Sequence, residues 1–403
     1  MKPSKLHDRL SLHDKVRMTG LAQRFWGTVR ARPRVATGVA VVLIAAGFGG
    51  GWYSAAYLGT QKIAYTKGPA APFEQVRAPP APSAFQAEVE RIATAYREPV
   101  GIAVSEVAKG WTASTAGSDT FPQQSVSKLW VALAVMQAVD EGRLALDQTV
   151  VMTPQDRSVF YQPLASRIRG SRALSITIAD LMRHALIESD NAANDKLIQQ
   201  VGGPGVVTRT IADKGLRGLA LGGTERDVQT KTAGLEWRPE YGQTWIFKQA
   251  RAALPDDVRD QALTTYLTNP PDGATPDGIV TALAALKRGE LLSRASTDFM
   301  LGLMTEARTG ALRMRAAVQP GWSLAHKTGT GPDWRGASVG INDVGLLTAP
   351  DGRTFAVAVM IRQTSQGPQA RHRLMQGVAR AVETYWRDSR LAAPGADALQ
   401  AGM

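Results

Sequence analysis

Between Ser125 and Arg143 the chain reads SVSKLWVALAVMQAVDEGR, apolar nearly all round after its first turn. In a soluble domain a helix of this kind has one place, the centre, because every face of it needs an apolar neighbour. The rest of the chain must therefore supply a shell of elements around it. Its polar first turn, carrying Ser125 and Lys128, must face something that satisfies it.

The shell can be read from periodicity. A helical pattern covers Ala84 to Arg97, and two strand-like runs, Val100 to Val107 and Trp111 to Ala116, break at Lys109-Gly110. Helical patterns follow at about Ile176 to Ile187, Ala192 to Val201, Val206 to Lys214 and Pro276 to Lys287. From Gly321 the character changes to strands at Trp322 to Lys327, Gly340 to Thr348 and Thr354 to Arg362, the last two joined by an Asp351-Gly352 turn, before a closing helix at Arg371 to Arg387. Strands at both ends of a mostly helical middle predict an α+β sandwich, an antiparallel sheet built from both chain ends and flanked by helices.

What precedes this domain is different. Residues 1 to 34 hold nine Lys/Arg against two Asp, a balance of +7 within a formal net charge of +12, so the excess charge marks one end rather than a nucleic-acid surface. Val35 to Gln61 then carries no charge and ends among Trp52, Tyr53 and Tyr57. A buried core helix and a cleaved signal peptide compete for this segment, but the basic flank favours an uncleaved transmembrane signal anchor. The expected organisation is a basic cytoplasmic segment (1–34), a span (35–61), a Pro/Ala-rich linker (62–83), a catalytic domain (84–388) and a loose tail (389–403). This puts a single-pass, monomeric protein in the inner membrane with its catalytic domain periplasmic. With 403 residues and no cysteine, the chain excludes disulfides and thiolate metal sites, and its five scattered histidines lack metal-ligand spacing. No metal or organic cofactor is expected.

Three short strings carry the chemistry: Ser125-Val-Ser-Lys128, Ser189-Asp190-Asn191 and Lys327-Thr328-Gly329. Ser125 and Lys128, three apart on a helix, share a face, and the serine oxygen sits where helix N-H groups favour negative charge. A lysine takes a serine proton when burial and a neighbouring cation weaken its own hold on protons, and Lys327 is the candidate neighbour. Ser189 and Asn191, in a loop between helices, would offer a proton to a leaving nitrogen and a hydrogen bond to Lys128 and to substrate. Lys327, Thr328, Gly329 and Thr330 end a strand as a cationic wall for an anionic substrate, with Gly329 permitting close approach. Taken singly, each string also reads as a helix cap, an Asx cap or a strand end.

Together they resemble the class A β-lactamase-like serine hydrolases, relatives of the penicillin-binding proteins, over about residues 84 to 388. The resemblance implies oxyanion donors at the backbone N-H groups of Ser125 and Thr330. Counted from Gly202-Gly203-Pro204, it also puts the deacylating glutamate at Glu225, with Gln229 where the family has asparagine. Gly223 replaces the arginine that would pair with Asp272, and the loop that follows is longer by roughly thirty residues, at about 230–270. Within it Glu236 is a second candidate base, and Trp237, Tyr241 and Trp245 either line the cleft or pack the insert, with packing favoured. The family's arginine for the substrate carboxylate has no counterpart beyond Lys327-Thr328-Gly329, which leaves Arg335 as its substitute. The implied activity is hydrolysis of a β-lactam amide through an acyl-enzyme on Ser125. The alternatives are a penicillin-binding peptidase acting on acyl-D-Ala peptides with slow deacylation, or an anchored binding module with a silent site.

Overall fold

Thr354 to Thr364 alternates large and small apolar residues, and that alternation fixes the centre of the molecule. The computed structural model describes residues 78–168 and 173–391. Its strands, in chain order, are β1 (Val100–Glu106), β2 (Thr112–Thr115), β3 (Phe121–Pro122), β4 (Thr149–Met152), β5 (Leu174–Thr177), β6 (Gly273–Ala274), β7 (Ser323–Gly329), β8 (Asp333–Trp334), β9 (Ala337–Thr348) and β10 (Thr354–Thr364). The main sheet is antiparallel in the order β2-β1-β10-β9-β7, with β8 pairing the end of β9. Both chain ends thus contribute to one sheet, the α+β arrangement expected.

Successive residues of β10 face opposite ways. Phe355, Val357, Val359 and Ile361 pack with the first and last helices among the described residues, Ser83–Tyr96 and Pro368–Leu391. Ala356, Ala358 and Met360 join the other core, which holds the helix Pro276–Lys287 and, at its centre, Lys128–Asp140. In that central helix every side chain from Lys128 to Met136 is buried.

Several elements differ from the sequence reading for local reasons. The central α-helix begins at Lys128, and Ser125 lies on a 3-10 turn, Gln124–Ser127, entered through a left-handed Gln124 (φ 52°). The run from Ile176 starts as strand β5, whose β-branched residues pair with β4, and turns helical only after Thr177 caps Ile178–Arg183; a π-type turn, His184–Glu188, completes it. A further helix, Arg294–Thr305, is capped by Ser293. In the long loop a 3-10 turn (Pro239–Gly242) leads to two helices, Thr244–Ala252 and Asp256–Thr268.

The candidate membrane segment, Val35 to Gln61, the basic residues before it and the tail beyond Leu391 lie outside the described residues. Among the described residues, no helix is long and apolar enough to cross a membrane.

Candidate active site

A 3-10 turn has three residues per turn, so side chains three apart eclipse. This sets Ser125 directly against Lys128: Lys128 Nζ lies 2.8 Å from Ser125 Oγ, 2.9 Å from Asn191 Oδ1 and 2.5 Å from Glu225 Oε1. Lys128 is fully buried and Glu225 nearly so, and all three ammonium hydrogens are engaged. The sequence reading gave Lys128 a cationic neighbour; the structure adds an anionic one in direct contact.

Ser189 adopts a left-handed conformation (φ 65°) between the π-type turn and the helix Asn191–Gln200, whose N-cap is Asp190. The cap is doubly used, since one Asp190 oxygen accepts Ala193 N-H at 2.9 Å and the other Leu164 N-H at 2.6 Å. Asn191, held by its amide to Val159 O at 2.9 Å, is thereby aimed at Lys128. Lys327, on β7, donates to Ser189 Oγ at 2.8 Å. It is buried, and burial first, then the positive charge of Lys128, pushes its proton affinity well below the usual lysine range.

Glu225 opens the helix Glu225–Thr232 behind its N-cap, Thr224. Beneath that turn lies Asp195, whose carboxylate accepts Glu225 N-H at 2.6 Å, Arg226 N-H at 3.2 Å and Ser158 Oγ-H at 2.7 Å. Burial, reinforced by the Glu225 charge, pushes Asp195 up to about 7. Gln229 Nε2 is 3.5 Å from Glu225 Oε2 and 3.1 Å from Gln124 Oε1. Asp272, lacking the arginine partner at Gly223, accepts instead from the backbone of Gln124 at 2.7 Å and from the Tyr266 hydroxyl at 3.1 Å.

These residues meet at a cleft of about 310 Å³, lined by Ser125, Ser189, Asn191, Gln229, Thr328 and Thr330 together with Tyr161 and Arg313. The end of β7 is held from both sides. Thr328 Oγ1 donates to Thr309 Oγ1 at 2.7 Å, and the Arg313 guanidinium donates to Gly329 O at 2.9 Å, Asn342 O at 2.6 Å and Thr330 Oγ1 at 2.6 Å.

Two sequence expectations are corrected here, those for Arg335 and Glu236. Arg335 is exposed and paired with Asp256 (3.2 Å) and Asp260 (3.1 Å) of the insert, outside the cleft lining; Arg313 is the arginine that lines it. Gly329 also answers a protein contact, because a Cβ there would stand 2.3 Å from the Gln123 carbonyl oxygen, just before Ser125. Glu236 is exposed and does not line the cleft. Of the insert aromatics, Tyr241 is buried with Phe247 and Val159, Trp237 packs against that cluster, and Trp245 is exposed.

The sequence reading passed over Asp195 and Arg313. Asp195 had a signal, four residues beyond Asn191 and so on the same helix face. Arg313 had none, because a 3-10 turn at Met314–Ala317 brings it beside β7.

Comparison with known proteins agrees with this geometry. Residues 84–386 match the model of the beta-lactamase enzyme family. Beta-lactamase VEB-1 of Pseudomonas aeruginosa is 24% identical over 300 residues, covering 74% of this chain and 89% of that protein. The extended-spectrum beta-lactamase PER-1 of Pseudomonas aeruginosa is 26% identical over 271 residues, 66% of this chain and 76% of that protein. A solved beta-lactamase from Chitinophaga pinensis superposes with a TM-score of 0.60 at 25% identity, over 76% of this chain and 99% of its own. With the family match spanning the whole of the folded domain around Ser125, the chain belongs to the beta-lactamase enzyme family.

Proposed function

We propose that the protein is a class A-type β-lactamase, a serine hydrolase that opens the β-lactam amide through an acyl-enzyme on Ser125. The observation that carries this reading is the continuous contact from Ser125 Oγ through Lys128 Nζ to Glu225 Oε1. Lys128 has no free N-H, so it takes the Ser125 proton as it passes one of its own to Glu225 across 2.5 Å. Ser125 Oγ adds to the carbonyl carbon, and the backbone N-H groups of Ser125 and Thr330 receive the oxyanion. On collapse the C-N bond breaks and Ser189 hands its proton to the nitrogen; the proton held on Glu225 returns by way of Lys128 to Ser189, so the net transfer is the serine proton to the leaving amine and Glu225 is again ionised for deacylation. Arg313 and Lys327 supply positive charge for the substrate carboxylate. In deacylation Glu225 takes a proton from water, hydroxide adds to the ester carbonyl, and the proton returns to Ser125 Oγ through Lys128.

Mass spectrometry of the protein mixed with a penicillin tests this. A Ser125 adduct should form and vanish in the wild type and persist in Glu225→Gln. A lasting wild-type adduct would assign the peptidase reading. No adduct would leave the binding-module reading. The uncharged segment Val35 to Gln61 with its basic flank supports an inner-membrane anchor and a periplasmic domain. Retention of the full chain in membranes through a carbonate wash is the expected result.

A further inference from the structure

The helix Asp256–Thr268 of the insert sends one polar group into the buried region behind Ser125, the hydroxyl of Tyr266. That hydroxyl donates to Asp272 Oδ2 at 3.1 Å and accepts Gln124 Nε2-H at 2.5 Å. Gln124 Oε1 in turn accepts Gln229 Nε2-H at 3.1 Å, and the same Gln229 nitrogen faces Glu225 Oε2 at 3.5 Å. Resting on the β-lactamase reading above, we infer that Tyr266 is a positioning residue for deacylation: its hydroxyl sets the amide of Gln124, and through it the amide of Gln229, against Glu225.

The direction of every link follows from its ends. Asp272, when ionised, only accepts, so the phenol O-H points to it and the phenol lone pair takes the Gln124 N-H. With its nitrogen turned to Tyr266, Gln124 presents its carbonyl oxygen to Gln229, whose NH₂ therefore points inward, toward the Glu225 carboxylate. The phenol stays protonated in this role, because burial and the Asp272 charge raise it well above the usual tyrosine range. Gln124 is buried, and two glycines leave the room its side chain fills: a Cβ on Gly340 would come within 2.7 Å of its Cγ, and one on Gly331 within 3.1 Å of its Cδ.

Tyr266 is itself held by the insert. Leu263 and Tyr266 pack with Val228 of the Glu225 helix and Val339 of β9. At the other end of the same helix, Trp334 Nε1 donates to Asp260 Oδ1 at 2.6 Å and Arg259 stacks over the Trp334 ring at 3.3 Å. The insert therefore spans from the Glu225 helix to the β8–β9 hairpin, and its position fixes that of the phenol.

The test is Tyr266→Phe, which keeps the ring and removes the link. With a penicillin, the expected result is kcat lowered about 10-fold or more, an accumulating Ser125 adduct by mass spectrometry, and an acylation rate within about 2-fold of wild type. Unchanged kcat, or acylation and deacylation falling together with the folded fraction, overturns the inference. Gln124→Met breaks the same chain from its other side, and the double variant should be no slower than the slower single one; multiplied effects would overturn it. Failure of the wild type to turn over would sink the β-lactamase reading and this inference with it, whereas wild-type turnover with an indifferent Tyr266→Phe sinks the inference alone.

Discussion

Asp195→Asn isolates the consequence of burying a carboxylate under the turn that carries Glu225. In the folded protein Asp195 titrates at about 7, against an ordinary 3.8. A group whose folded value is raised contributes stability that is complete below the unfolded value and is lost as pH rises through the folded one. The window therefore runs from about 4 to about 7. At about 1.4 kcal/mol per pH unit the wild type should lose up to about 4 kcal/mol across it from this group alone. Asparagine resembles the protonated acid in shape, still offers Oδ1 to the Glu225 N-H and can donate from Nδ2 to Ser158 Oγ, but it leaves the Arg226 N-H without its acceptor, so at about pH 4 the variant should be the less stable by about 1 kcal/mol. By about pH 8 the difference should have moved in the variant's favour by between about 2 and 4 kcal/mol, making it the more stable, once solvent relaxation around the buried charge is allowed for. Equilibrium urea unfolding of both proteins at the two pH values measures this. A wild-type-to-variant difference that is the same at both, or that favours the wild type more at high pH, refutes the account of Asp195 as a charge held at a cost beneath Glu225.

Arg313→Ala should raise KM about 10-fold or more for a penicillin and much less for its carboxyl ester, and should lower stability by about 1–3 kcal/mol because the Gly329 and Asn342 carbonyls lose their donor; equal KM effects on acid and ester would refute the assignment. Gly329→Ala places a methyl 2.3 Å from the Gln123 carbonyl oxygen, so urea unfolding should register a loss of about 1–3 kcal/mol, together with slower acylation as the segment before Ser125 shifts. Because burial and Lys128 lower the proton affinity of Lys327, the alkaline limb of kcat/KM should fall below the ordinary lysine value of 10.5 and move upward in kcat, where bound substrate adds a negative neighbour. A limb that does not move between the two would point to a different group.

Much of the site was legible because its chemistry is packed into contiguous strings. Ser125 with Lys128, and Ser189 with Asn191, sit on turns whose local geometry sets their spacing, so periodicity alone puts them on shared faces. The sheet was legible for a similar reason, since alternation along β10 states which residues face which core. Legibility failed where a partner comes from a distant segment. Arg313 and Arg335 are both single arginines in loops, and only the fold decides that the first lies along β7 while the second is drawn to Asp256 and Asp260. Gly329 shows the same limit: its backbone lies against the chain's own Gln123 carbonyl, a neighbour that only the fold supplies.

By itself the sequence determined the candidate nucleophile, the central buried helix behind it and the sheet drawn from both chain ends, because these depend on short-range spacing and on where apolar side chains must go. The tertiary structure alone decided how Glu225 and Gln229 are held. Asp195 beneath Glu225, Asp272 without its arginine, and Tyr266 reaching Gln124 from the insert are contacts between segments 30 to 148 residues apart. No local pattern encodes them, since a hydrogen bond of this kind depends on where two rigid elements come to rest against each other and not on the residues beside either partner.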